Sequence, residues 1–277
     1  MIATAKSLRL ATIPWSARLG LLIIAFYVVV ALFAPWLAPY GESEVAGGEF
    51  EPWSSTFVLG TDGLGRDMLS RLIFGARNTI GVAFVTTALA FVIGGTGGML
   101  AATLGGWTDE VLSRVVDVIM AIPRVIFALL LLTIFGTGLV NLILIIAVLD
   151  STSVFRLTRA VSMNVVVMEF VEAAGLRGES LWWIVRHEIL PNILPPLISE
   201  FGLRFCFVFL SISALSFLGL GLQPPTADWG SMVKETASLI SFGDITPLLP
   251  AGAIALLTVG VNFVVDWMLH RSSGLKD

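Results

Sequence analysis

Among the ionisable side chains that interrupt apolar runs of this chain are Asp150, Glu200 and Arg204. Charge is costly in an apolar setting, so each is a candidate for work. Glu200 and Arg204 stand at i and i+4, the spacing that puts two side chains on one helix face, where they can neutralise each other. Asp150 can lie at or beyond the end of its apolar run. The alternative is that the three line a polar path and meet the charged ends of a zwitterionic solute. A second concentration of chemistry is residues 172–192, EAAGLRGESLWWIVRHEILPN, where Glu179, Arg186 and Glu188 alternate with Trp182, Trp183, Ile184 and Val185. That pattern, with Gly178 between two helix-forming stretches and Pro191 after them, reads as helix, break, helix. It suits a membrane interface or a partner protein. A third is GTDGLGRDMLSRLIFGAR at 60–77, an amphipathic segment with Arg66, Asp67, Arg71 and Arg77; the QPPTADWG turn at 223–230, with Trp229, is its companion.

Other chemistry has no residues to carry it. The sequence has no G-x-x-x-x-G-K-[ST] to cradle a nucleotide and no H-E-x-x-H to hold zinc, and its two histidines, His187 and His270, lie far apart. The single cysteine, Cys206, excludes an internal disulfide framework and a cysteine metal site. No metal or cofactor is expected on this chain. The glycine-rich pieces at 94–98 and 219–221 follow no strand pattern and read as places where helices approach closely in lipid, not as phosphate loops.

What must position these groups is a set of membrane helices. The 277 residues are 56% hydrophobic and 13% charged, with a mean hydropathy of +0.93, outside the range of an average soluble domain. Crossing about 30 Å of hydrocarbon takes roughly 20 apolar residues. Six such windows are predicted: about 18–38, about 80–104, two sharing 119–150 with a GTG turn near 136–138, about 194–221 and about 248–269. Continuous runs of this length are helical, not barrel strands. The expected fold is an all-α bundle of six transmembrane helices. The first window, preceded by Lys6 and Arg9, reads as an uncleaved span; it is longer than the roughly 7 to 15 apolar residues of a signal peptide, the other reading of such a pattern.

Lys and Arg placement sets orientation. Lys6, Arg9 and Arg18 precede the first span and only acids follow it, so the N-terminus is expected in the cytoplasm. Six spans then put the C-terminus there too, along with loops 105–118 and 154–193; Arg66, Arg71 and Arg77 fall outside, as an exception. The net charge of −4 decides little, and nothing supports nucleic-acid binding.

The pattern E-A-A-x-x-x-G, followed by an L-P whose proline is thirteen residues after the glycine, resembles the cytoplasmic EAA loop in the membrane subunits of binding-protein-dependent ABC importers. Glu172, Ala173, Ala174, Gly178, Leu190 and Pro191 hold its positions, while Glu188 stands where the family has isoleucine, with Ile189 beside it. LGTDGLGRDMLSRLIFGAR at 59–77, ALSFLGLGLQPPTADWGSMV at 214–233 and VNFVVDWMLHR at 261–271 are similar to the dipeptide, oligopeptide and nickel importer group, and within it to the shorter, C-type permease. The resemblance implies an ABC importer type I transmembrane domain in a bacterial inner membrane. Residues 1–78 would form a tail, first helix and external loop, and 79–277 a five-helix core with the coupling loop at 165–192. It implies a homologous B-type permease, one or two ATPase subunits that carry ATP and Mg, an extracytoplasmic solute-binding protein and a peptide-like solute. The EAA loop would dock on the ATPase, small Ala173 and Ala174 allowing close approach. Arg66, Asp67, Arg71, Arg77 and Trp229 would face the binding protein, or anchor lipid headgroups. The resemblance makes the chain a non-catalytic subunit. A different class, an ion-coupled transporter acting alone, would use Asp150, Glu200 and Arg204 as its coupling site and should show inverted repeats with broken helices.

Overall fold

A computed structural model of the chain describes residues 13–272; Lys6 and Arg9 of the orientation argument lie outside them. Among the described residues there is no strand, only the isolated bridges Val45–Arg66 and Thr61–Asp67. The helices are α1 (Trp15–Leu37), α2 (Met68–Leu104), α3 (Gly106–Met120), α4 (Arg124–Phe135), α5 (Leu139–Val166), α6 (Glu169–Leu176), α7 (Leu181–Ile184), α8 (Leu190–Phe217), α9 (Trp229–Thr236) and α10 (Leu248–Ser272). A π-helical turn, Val185–Ile189, makes α7 and α8 one continuous rod, Leu181–Phe217.

Five of these are long and apolar enough to cross a membrane. The predicted third span is different. Its apolar residues are divided between α3 and α4, which bend by 89° at Ala121–Pro123. At 1.5 Å per residue the 12 residues of α4 reach about 18 Å, short of the hydrocarbon thickness. The stretch 105–118, expected as a loop, is helical from Gly106 because α3 is amphipathic: Trp107, Val111, Val115 and Val118 lie exposed along one stripe. Gly136 (φ +91°) closes α4, and Gly138 precedes α5, so the predicted turn is present. α5 then runs to Val166, well past the expected end of the fourth span at 150.

The spine of the bundle is the crossing of α2 and α5. Lipid tails are as apolar as leucine, so helices in a membrane associate by close packing. The buried face of α2 is a stripe of small residues, Ala83, Thr87, Ala90, Gly94, Gly98 and Ala101. Gly94 lies against the Ser151 carbonyl and Val154, and Gly98 against the Phe155 carbonyl and Thr158. The glycines at 94 and 98 are therefore packing residues, as their setting in an apolar run implied. α1 packs on α10 by the same device, Gly20 against Gly260.

Connectivity puts the loop 38–67 and α9 at one end of the bundle, and α3, α6 and α7 at the other. A side chain at Gly94 would run into the backbone of Ser151 and Phe155 and the Cβ of Val154. Gly94→Val is expected to separate α2 from α5, at a cost of about 1–3 kcal/mol or more. The variant should melt at lower temperature than wild type when solubilised, or fail to accumulate in the membrane.

Candidate functional site

Three groups of side chains carry the candidate chemistry. The first is the α6 end. Met168 starts α6 in extended backbone, and α6 stops at Gly178, which has φ +80°. The Gly178 N–H donates to the Gly175 carbonyl (2.9 Å) and the Glu179 N–H to the Ala174 carbonyl (3.2 Å). This is the glycine C-terminal stop of a helix, which a side chain disfavours. Ser180 then accepts from the Trp183 N–H (3.3 Å) and starts α7. Arg177 folds back over Trp183 (5.9 Å) and reaches Glu188 (3.8 Å). Ile189, Val185, Ile193 and Leu197 are buried with Met99 in a core of their own, so Ile189 does the packing beside Glu188.

Glu172 and Ala173 are exposed, among Val167, Met168, Phe170, Leu176 and Trp182, an apolar patch on the same end. Ala174 is different: it is fully buried against its own chain and is not part of an outer docking face. Leu190 and Pro191 form the first turn of α8, so they fix where the rod leaves the π turn.

The second group is at the opposite end. Asp62 accepts through Oδ1 from the N–H groups of Leu64 (2.8 Å) and Arg66 (3.0 Å). Its Oδ2 accepts from Arg66 Nε (2.7 Å) and from Arg71. Glu235 on α9 accepts from Arg71 (2.7 Å) and lies 3.4 Å from Arg66. Asp67 caps α2 through Ser70 (2.8 Å). Trp229 is buried among Tyr27, Phe209 and Gly75 and donates from Nε1 to the Leu72 carbonyl (2.9 Å). Arg66, Asp67, Arg71 and Trp229 are each less than 5% exposed. They are therefore not a docking surface or a headgroup anchor: they clasp the 38–67 loop and α9 onto α2. Arg77 alone of that set is exposed.

The third group sits inside the helices. Asp150, expected near the end of its span, is eleven residues into α5, about 17 Å from its start. It is completely buried. Its Oδ1 accepts from Arg124 Nη1 (2.7 Å) and lies 3.9 Å from Arg204; Arg124 Nη2 also donates to Ser153 Oγ (3.1 Å). Arg204 Nε lies 2.6 Å from Glu200 Oε1. The expected Glu200–Arg204 pair is thus present, with Arg204 itself 3.9 Å from Asp150, and the bonded partner of Asp150 is Arg124, a residue that sequence reasoning passed over. The signal was available: Arg124 and Asp150 are the two charges in the run 119–150. Among the described residues no group of His, Cys, Asp and Glu is arranged to hold a metal.

Burial alone would push the Asp62 carboxyl up, but the backbone donors of Arg66 and Leu64 and the charges of Arg71 and Arg66 outweigh it and hold it below the usual carboxylate range. A depressed folded value stabilises above the unfolded value of about 3.9 and is lost as pH falls through the folded one. Below about pH 4 the clasp should loosen, seen as amide exchange in the 60–72 segment accelerating beyond its chemical rate. Asp62→Asn should show fast exchange at pH 7 as well.

Comparison with known proteins places these features in context. Residues 94–273 match the family described as binding-protein-dependent transport system inner membrane component, and residues 15–48 match the N-terminal TM domain of oligopeptide transport permease C. The chain is 34% identical to the dipeptide transport system permease protein of Alkalihalophilus pseudofirmus, over 94% of this chain and 84% of that one. It is 35% identical to the di/tripeptide transport system permease protein of Pseudomonas aeruginosa, over 93% and 85%. With the glutathione transport system permease protein of Pectobacterium atrosepticum it shares 30% identity, over 92% and 83%. Among solved structures, an inward-facing methionine ABC transporter superposes with a TM-score of 0.59 at 18% identity, over 75% of this chain and 98% of that one. A chain of an amino acid ABC transporter superposes at 0.55 and 18%, over 73% and 94%. At that identity the likeness is one of fold.

Proposed function

The chain belongs to the binding-protein-dependent transport system inner membrane components, and from that premise we propose that it is the C-type permease of an ATP-driven importer of peptides or related small solutes. It is a multi-pass inner-membrane protein. The observation that carries the proposal is the sequence match to peptide permeases over more than nine-tenths of the chain. In this reading the chain forms half of a translocation path, a homologous B-type permease forms the rest, and one or two ATPase subunits supply ATP and Mg. An extracytoplasmic solute-binding protein delivers the solute. The chain itself catalyses nothing and binds no cofactor. The α6 end faces the cytoplasm, together with both termini, and the α3–α4 bend counts as a sixth crossing. The division into 1–78 and a core of 79–277 belongs to the same reading.

Glu172 and Ala173 are the contact to the ATPase, with the exposed apolar patch around them as the docking surface. Gly178, Leu190 and Pro191 hold that helix at its angle. What supports this is charge beside unpartnered apolar surface on a helix of eight residues, stopped at both ends. Alternating access follows from it: closure of the ATPases shifts α6, and the shift is passed to α5 and α8. Asp150, Glu200 and Arg204 are assigned to the path, and Arg77 to binding-protein docking.

Glu172→Lys is expected to leave the complex assembled while transport per ATP hydrolysed falls by about tenfold, the scale of one charge-assisted contact. Gly178→Trp should do the same by straining the positive-φ stop. The check is transport and hydrolysis measured together in vesicles holding all subunits; wild-type coupling in both variants would remove α6 as the contact.

A further inference from the structure

Partly exposed arginine in a membrane helix cannot face lipid; it faces a partner or water. Arg124 is the first residue of α4 and its side chain is 31% exposed. Two donors are spent on Asp150 and Ser153, out of the five a guanidinium carries. It lines a cavity of about 160 Å³ with Ile119, Pro123, Leu149 and Thr152. Arg204 and Glu200 are also partly open, at 15% and 16%. Behind them Asp150 is fully buried, and its Oδ2 has no hydrogen-bond partner.

We infer that Arg124, with Arg204, is a carboxylate-binding site within the translocation path that takes the free carboxylate of the solute. The inference rests on the reading of the chain as half of such a path. Asp150 is a positioning residue: its one bonded oxygen aims Arg124 and leaves the outward donors open. A guanidinium with unused donors in a low-dielectric setting selects a planar anion and holds it in two parallel bonds. The four charges, two acids and two arginines, sum to zero, so a zwitterion enters without leaving net charge behind. Glu200, partly open beside Arg204, is the acceptor for its ammonium end. A carboxylate from the partner permease would supply the same anion, but as a fixed charge it would leave the cluster with an excess negative unit in hydrocarbon.

The test uses the assembled transporter in vesicles. In a Cys206→Ala background, which removes a buried thiol, Ser153→Cys places a thiol beside Arg124. A sulfonate-bearing thiosulfonate is expected to react several-fold faster than an ammonium-bearing one, as an adjacent cation draws anions, and adding Arg124→Met should erase that preference. In parallel, Arg124→Met should cut dialanine transport by roughly tenfold while moving dialanine amide little, and Arg124→Lys should recover part of the loss. A thiol unreactive in every nucleotide state, or equally reactive to both reagents, overturns the site. Reaction in the isolated chain but not in the assembly also overturns it, and assigns the arginines to the partner permease. Equal loss for dialanine and its amide rejects carboxylate selection. A wild-type complex that moves neither compound counts against peptides as the solute, and the labelling preference then decides the site by itself.

Discussion

A charge inside hydrocarbon has no solvent to turn to, and a backbone polar group there has only its own helix. That constraint organises this chain. The backbone requirement makes every long apolar run among the described residues helical. The charge requirement leaves the ionisable groups at the heart of the bundle paired: Arg124 with Asp150 between α4 and α5, and Arg204 with Glu200 one turn apart on α8. Removing one member of a buried pair leaves an uncompensated charge, at a cost of about 3–5 kcal/mol. The Arg124–Asp150 pair therefore fixes the start of α4 against α5, while α8 joins them through the 3.9 Å approach of Arg204 to Asp150.

The remaining architecture follows from close approach. Where α2 meets α5 at Gly94 and Gly98, backbone lies on backbone, and the two helices behave as one body. α2 extends beyond that crossing to the clasp at its other end, where Arg71 and Arg66 join Asp62 to Glu235. The 38–67 loop needs this anchoring, because its own apolar residues, Val45, Phe50, Trp53, Val58 and Leu64, remain exposed and give it little core. Its order comes from polar bonds to α2 and α9 rather than from burial.

How much of this was legible depended on the range of the interaction. Helices with a continuous apolar run, such as α1 and α10, could be read directly, since the signal is local. The start of α2 could not: its first twelve residues carry Arg71 and Arg77, which read as a loop until Arg71 is known to meet Glu235, 164 positions away. The same distance effect turned four supposed docking residues into buried ones. α3 was missed because an amphipathic helix with acids and arginine lacks the uniform apolarity that marks a span. The EAA segment was legible as helix, glycine, helix because the αL stop at Gly178 is a local backbone demand. Which alanine faces out was not, as that depends on the rotation of α6 against α5.

α6 is joined at its N-terminus to α5 and, through Gly178 and α7, to the rod that becomes α8. These are the two helices whose side chains make the cluster, Asp150 and Ser153 on one, Glu200 and Arg204 on the other. Arg124 stands at the bend that leads into α4 and bonds α5 alone by its two donors. A push on α6 that turns α5 against α8 therefore acts on the loosest link first, the 3.9 Å approach of Arg204 to Asp150. Of the tight contacts, Arg124 to Asp150 ties the bend to α5, and Arg204 to Glu200 lies within α8. The cluster is thus divided into two units along the line where the helices would slide, and a charged solute lying across that line would be held with the units together and released as they part.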